Sequence, residues 1–317
     1  MEMARLLQDK VAIITGAGRG LGREYALAMA KEGAKVVVND YGGGYDGTGK
    51  ANGPAQDVVE EIKALGGQAV PNFADVSSFA ETKELIDTAI NKFGKLNVLV
   101  NNAGIVRDKM LFNMGEDEWD RLINIHLKGH FNCTRHASAY WREQHKAGNI
   151  LNGSIINTSS DAGLVGNAGQ VNYGSAKAGI ALMTIVVALE MAKYGVRCNC
   201  IAPSARTRLT TEATPSLGDM MGKEAAPGEF DVFAPENMSP LIVYLASDDS
   251  KDISGEVVRV MGNRIWLVRG WHSVGTVAKK EKVKWEPMEL GSELKTLLKK
   301  APPKEDLVAI YRDMAGA

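Results

Sequence analysis

The sequence predicts an α/β protein built on one doubly wound parallel sheet. Three observations predict it. Short β-rich runs recur at 11–15, 34–39, 96–101, 154–158, 196–201 and 256–261. Helical patterns of ten residues or more lie between them, near 20–32, 54–66, 79–93, 116–146, 172–194 and 236–247. A glycine-rich turn directly follows the first strand. Strands separated by helices of this length imply a parallel sheet covered on both faces. Ligands of such sheets bind beyond the carboxyl ends of the strands.

The first strand runs into Thr15-Gly16-Ala17-Gly18-Arg19-Gly20-Leu21-Gly22, where a helix begins. Glycines let the backbone turn sharply and approach a pyrophosphate, and a helix N-terminus offers free N–H groups and partial positive charge. The spacing Gly-x-x-x-Gly-x-Gly differs from the Gly-x-Gly-x-x-Gly fingerprint. Its place between strand and helix still makes Gly16, Arg19, Gly20, Leu21 and Gly22 candidate cofactor-binding residues. The second strand ends in Asn39-Asp40, eighteen residues after Gly22. A carboxylate there suits the adenosine ribose hydroxyls of NAD and repels the extra phosphate of NADP. Arg19 pulls the other way, toward a 2′-phosphate. The direct like-charge penalty gives Asp40 the greater weight, and NAD is the expected cofactor.

Two stretches break the rhythm. Residues 41–53 hold six glycines and read as a surface loop. Residues 203–235, rich in Thr, Gly, Pro and Met with Met220 and Met221 adjacent, read either as a lid over an apolar ligand or as a plain connector.

The fifth strand delivers Ser160, and the following helix carries Tyr173 and Lys177. Positions i and i+4 share a helix face, so a phenol and an ammonium there can meet one substrate. A free tyrosine, with a pKa of about 10, is a poor base at neutral pH. A fixed lysine charge favours the phenolate; reaching about 7 needs roughly 3 units, or about 4 kcal/mol. The trio reads as a proton-transfer device for a hydroxyl or a carbonyl. Tyr and Lys at this spacing also occur on solvated helix faces, so the pair takes its meaning from the nucleotide turn upstream.

Composition narrows the classes. The chain has 317 residues, 45% hydrophobic, with a formal net charge of −1, and no Lys/Arg block suggests a nucleic-acid partner. Residues 1–10 mix charges without the apolar core of a signal peptide. The longest uncharged apolar run, 178–189, falls short of the roughly 20 residues that cross a bilayer, so no membrane partner is expected. Cys133, Cys198 and Cys200 offer no disulfide framework or zinc spacing and read as reduced packing residues in a cytoplasmic compartment. A catalytic and dinucleotide-binding domain is expected over 1–262. Residues 263–317 form an extension with a strand-like piece at 265–268 and two amphipathic stretches, 286–299 and 304–314, packing on the core or a neighbouring subunit.

With the glycine turn, Asn101-Asn102-Ala103-Gly104, Ser160 and Tyr173-x-x-x-Lys177 in order, residues 8–262 resemble the short-chain dehydrogenase/reductase family. The resemblance implies a single Rossmann-like domain. It gives Asp75 and Val76 to the adenine and Asn102, Ala103 and Gly104 to the support of the cofactor. It implies that Tyr173 and Lys177 also touch the cofactor, Lys177 at the nicotinamide ribose. Pro203-Ser204-Ala205-Arg206-Thr207 resembles the family's Pro-Gly segment, which makes Pro203 and Thr207 candidate contacts at the nicotinamide end. Longer stretches, 36–40, 104–108, 125–129 and 166–173, are similar to the (3R)-hydroxyacyl-CoA dehydrogenase domains of peroxisomal multifunctional enzymes and to bacterial relatives acting on sterol side-chain CoA esters. That likeness implies a 3-hydroxyacyl-CoA dehydrogenase and an apolar CoA-ester substrate. The helix around 178–189 resembles the family's dimer-forming helix, implying a homodimer or homotetramer.

His126 stands where the wider family has its active-site asparagine, which makes it a fourth candidate catalytic residue. His126 and His130 at i, i+4 could alternatively bind a metal, but no nearby carboxylate completes a site, and none is expected. Gln170 and Asn172 either line the site or shape the loop before the helix. Lys279-Lys280 reads as a CoA phosphate contact or as a solvated charge run. Competing functions are a lipophilic alcohol or hydroxysteroid dehydrogenase, a 3-ketoacyl reductase disfavoured by Asp40, and a non-catalytic nucleotide-sensing protein, which would be expected to have lost Tyr173 or Lys177.

Overall fold

A computed structural model describes residues 5–211, 221–226, 228–279, 283–307 and 309–311. The first unit runs through Val268 and is one eight-stranded sheet. In chain order the strands are β1 Val11–Thr15, β2 Lys35–Asn39, β3 Gln68–Asn72, β4 Val98–Asn101, β5 Gly153–Thr158, β6 Val196–Pro203, β7 Val257–Met261 and β8 Arg264–Val268. They lie in the order β3-β2-β1-β4-β5-β6-β7-β8. All neighbours are parallel except β7 and β8, which pair antiparallel with Val257 opposite Val268. The strand order reverses between β1 and β4, the place where open α/β sheets bind ligands.

Helices α1 Gly20–Lys31, α2 Gly53–Ala64, α3 Phe79–Phe93, α4 Glu116–Ile123, α5 Gly129–Lys146, α6 Asp161–Leu164, α7 Val171–Met191, α8 Arg208–Thr211 and α9 Ser239–Ala246 complete this unit. One core lies under α1, α2 and α9, with Tyr25, Met29, Val59, Ile62 and Ile242 against Ile14, Val36 and Val38. The other lies under α3, α5 and α7, with Leu85, Ile86, Trp141 and Met191 against Ile13, Val37, Leu99 and Ile155. Residues alternate between the two cores along β1 and β2, as strand geometry requires. Local signals set the ends of α3. Ser78 accepts from the Glu81 N–H at 3.3 Å, and Gly94 ends the helix at φ 83°.

Three expectations change. Strand β3 has no apolar alternation, and Pro71 confines it to a sheet edge, so only pairing with β2 reveals it. The 265–268 piece expected in the extension is instead β8, so the sheet unit ends at Val268 rather than at residue 262. The single helix expected over 116–146 is α4 and α5 joined by a π turn, Asn124–Lys128. Helix α7 and its last turn, 171–194, match a membrane span in length and hydropathy. Its inward side nevertheless carries buried Lys177 and Thr184, which hydrogen-bond to Thr158 and Asn157 of β5. The second unit, from Arg269, contains α10 Pro287–Lys300, which matches the first amphipathic stretch. Lys279 there pairs with Glu289 at 2.5 Å. The second stretch is helical at Ala309–Tyr311; its remaining expected positions at 308 and 312–314, like Lys280 and Met220, lie outside the described residues.

Trp141 is the largest fully buried side chain, and its indole N–H donates to the Leu96 carbonyl at 2.7 Å. Trp141→Ala should cost about 3–5 kcal/mol in urea unfolding. A loss below about 1 kcal/mol would mean that α5 is anchored elsewhere.

Candidate active site

The glycine turn, the ends of β2 and β4, and Asp75 and Val76 after β3 line one groove at the strand-order reversal. Gly16, Arg19, Gly20, Leu21, Gly22, Asp40, Asn102, Ala103, Gly104 and Thr207 all border it. Its floor is backbone: a Cβ on Gly22 would lie 2.2 Å from the Gly16 carbonyl oxygen. Helix α1 begins here, and Arg19 at its N-cap provides no side-chain cap, so the first-turn N–H groups are suited to an anion. The cradle fits a dinucleotide pyrophosphate. Pro203 does not border the groove; it remains within β6, paired with Val260, while Thr207 reaches the rim opposite Gly20.

Several of these side chains are also structural. The Asn102 amide donates to the carbonyls of Thr15 at 3.0 Å and Gly16 at 3.1 Å. The backbone N–H groups of Asn102 and Ala103 donate to the Thr15 hydroxyl at 3.0 and 3.1 Å. The end of β4 therefore ties the glycine turn in place. Asp75 accepts from the backbone and hydroxyl of Ser77 at 2.8 and 2.7 Å, which shapes its loop. Asp40 accepts from the Gly18 N–H at 2.8 Å through one oxygen and the Gly42 N–H at 2.6 Å through the other. Each oxygen keeps a second lone pair for a ribose hydroxyl.

The glycine-rich stretch 41–53, expected as a plain surface loop, is a wall of the groove. Arg19 donates to the Gly43 carbonyl at 3.2 Å, Arg107 to that of Asp46 at 2.9 Å, and Arg121 to that of Gly47. Composition showed the turns; the three arginines that hold them come from distant parts of the chain.

Ser160, Tyr173 and Lys177, expected as a proton-transfer trio, lie together. Ser160 ends the β5 loop, and its Oγ accepts from the Ala162 N–H at 3.3 Å, starting α6. Tyr173 and Lys177 lie one turn apart on α7, with the ammonium 5.5 Å from the phenol ring centroid. The His126 ring meets Tyr173 edge-on, centroids 5.3 Å apart at 82°. Lys177 is buried, and its Nζ donates to the Thr158 carbonyl at 2.7 Å.

The electrostatics depart from expectation. Burial pushes the Tyr173 phenol up to about 12; a hydrogen bond with Ser160 opposes this, and the carboxylates of Asp108 and Asp161 add to it. Burial also brings Lys177 down to about 7. Burial thus dominates at the phenol, against the lowering that the spacing suggested. His126 is held well below the ordinary histidine range, first by burial and then by the Lys177 charge.

Sequence reasoning missed the support behind Ser160. The buried Asp161 carboxylate receives Arg259 Nε at 2.5 Å and the Ser204 hydroxyl at 3.2 Å. An arginine inside the valine-rich run of β7 was the available signal, since a buried charge requires a partner. For Asn172 the loop-shaping reading holds. Its amide donates to the carbonyls of Arg107 and Glu118 at 3.0 and 3.2 Å, and its oxygen accepts the Tyr173 N–H at 2.7 Å. Gln170 donates to Asp108 at 2.8 Å.

The lysine's folded pKa of about 7 lies below its ordinary 10.5, so the unfolded chain binds the extra proton between these values. Stability therefore rises with pH across that window. Lys177→Met should be more heat-stable than the parent below about pH 7, with the difference shrinking toward pH 10.5. A difference that does not vary with pH would show that the lysine is not desolvated.

Residues 10–218 match the sequence model of the short chain dehydrogenase family. Hydroxyacyl-CoA dehydrogenase ChsB1 of Mycobacterium tuberculosis is 41% identical over 309 residues, 96% of this chain and 93% of that protein. Peroxisomal multifunctional enzyme type 2 of Drosophila melanogaster is 41% identical over 263 residues, 82% of this chain but 41% of that longer protein. The crystal structure of a short chain dehydrogenase from Mycobacterium avium is 48% identical, with a TM-score of 0.83 over 95% of this chain and 98% of that one. Groove, trio and relatives agree: the chain belongs to the short-chain dehydrogenase/reductase family, oxidoreductases that act on CH–OH groups with a nicotinamide cofactor.

Proposed function

We propose that the chain is an NAD-dependent 3-hydroxyacyl-CoA dehydrogenase. The observation that carries this reading is the 41% identity to a hydroxyacyl-CoA dehydrogenase over nearly the whole chain, together with the clustering of Ser160, Lys177 and His126 around the Tyr173 phenol. NAD is supported by Asp40, whose carboxylate borders the groove at the end of β2 and would repel a 2′-phosphate bound beside it. Arg19 is engaged with the Gly43 carbonyl.

In the oxidative direction Tyr173 accepts the substrate hydroxyl proton, and Ser160 hydrogen-bonds the same oxygen and holds it in reach. A nicotinamide cofactor held in the groove would supply the hydride acceptor and, when oxidised, a positive charge near the phenol. Lys177, held by the Thr158 carbonyl, would hold the nicotinamide ribose and adds its charge below its own pKa. Positive charge beside the phenol opposes the desolvation that otherwise keeps it protonated. His126 packs on the phenol and serves the return of the proton. The outward face of α7, with Leu182, Val186 and Leu189 exposed, supports a homo-oligomer.

An initial-rate screen of 3-hydroxyacyl-CoAs and free hydroxysteroids should show turnover on the CoA esters. Activity confined to free steroids would move the assignment to a lipophilic alcohol dehydrogenase. NAD should exceed NADP in kcat/KM by roughly a hundredfold; a preference for NADP would overturn the cofactor reading. Tyr173→Phe should reduce kcat by about 10²–10⁴-fold while NAD still binds by fluorescence titration. Near-normal kcat would remove Tyr173 as the base.

A further inference from the structure

We infer that His130 is a positioning residue for proton transfer, holding the π turn that lays His126 against Tyr173. This rests on the reading of Tyr173 as the base. Residues Asn124–Lys128 depart from α-helical geometry between α4 and α5, and His126 lies in the middle of the departure. A π turn gives up regular helical register and persists where neighbouring groups hold it. His130 does so from within: its Nδ1 lies 2.8 Å from the His126 carbonyl. A carbonyl only accepts, so Nδ1 is the donor in this contact. Both rings are buried, at 1% and 2% exposure.

His126 Nε2 lies 2.9 Å from the backbone nitrogen of Ile105 and 2.8 Å from its carbonyl oxygen. One residue thus offers a donor and an acceptor to the same nitrogen, and Nε2 keeps a partner in either tautomer. Nδ1 is buried with no partner among the described residues. The ring is thus held at one end by Ile105 through Nε2 and at the other by the backbone that carries it. Gly104 supplies the space: a Cβ there would lie 2.4 Å from His126 Cε1. The chain of contacts runs from the His130 imidazole to the His126 carbonyl, then from the His126 ring to the Tyr173 phenol. His130 does not border the cofactor groove, and its role is exerted through His126.

The test compares H130L, which removes the donor, with H130N, whose amide can return an N–H to the same carbonyl. H130A replaces H130L if the leucine variant does not fold. Expected for the donor-less variant is a ten- to hundredfold loss of kcat with KM for hydroxyacyl-CoA and NAD nearly unchanged. Its kcat–pH profile should move on the acid side, and H130N should recover most of the parent's behaviour. Nitrogen-15 resonances of the His126 ring, recorded without substrate, should shift in the donor-less variant and stay in place in H130N. Parental kcat and pH profile in the donor-less variant overturn the proposal, as does an H130N variant that fails equally while folded. If the parent oxidises no hydroxyacyl-CoA, the substrate reading falls separately; the resonances then decide, and an unshifted His126 ring in the donor-less variant overturns the role of His130.

Discussion

Lys177 is an ammonium-bearing side chain shut away from water with a backbone carbonyl as its hydrogen-bond partner, and much of the molecule is arranged around that burial. The carbonyl belongs to Thr158 at the end of β5, so α7 must lie close along β5 and β6. The interior beside it is polar: Asn101 bridges Thr134 and Asn157, and Asn157 continues to Thr184. Such a network makes a low-dielectric interior tolerable to a charge that comes and goes. A lysine poised near neutrality is costly to a fold and useful to a catalyst, because small changes nearby alter its protonation.

The two halves of the site are held by different means. The nucleotide groove is mostly backbone, shaped by glycines and tied by Thr15, Asn102 and Asp40. The proton-transfer half is side chains placed by buried polar pairs, Asp161 with Arg259 behind Ser160 and Asn172 beneath Tyr173. A backbone groove gives a fixed cradle for a cofactor shared across a large family. Side-chain support leaves the substrate end free to vary between members.

What the sequence revealed divides along the same line. Tyr173, Lys177 and the glycine turn were legible because their geometry is local: one helical turn, or one strand leading into one helix. Strand β8 was recognised as strand-like but placed in the extension, since nothing local states which sheet an edge strand joins. Strand β3 and the Asp161–Arg259 pair were not legible, the first lacking apolar alternation and the second joining positions 98 residues apart. The π turn at 124–128 has no signal in Asn-Ile-His-Leu-Lys itself. The Tyr173 phenol is raised rather than lowered for a related reason: spacing reports a neighbour's charge, whereas desolvation depends on everything packed around the phenol.

The glycine-rich wall of the groove has a kinetic consequence. It is fastened by guanidinium–carbonyl hydrogen bonds from Arg19, Arg107 and Arg121 and by the Asp40 carboxylate, rather than by a share of the main cores. Segments fastened in this way open locally at a cost well below that of global unfolding. The lifetime of a bound dinucleotide can thus be set by this strap alone while the sheet stays intact. Because Asp40 accepts from Gly42 of the strap and from Gly18 of the glycine turn, a substitution there would loosen both walls of the groove at once.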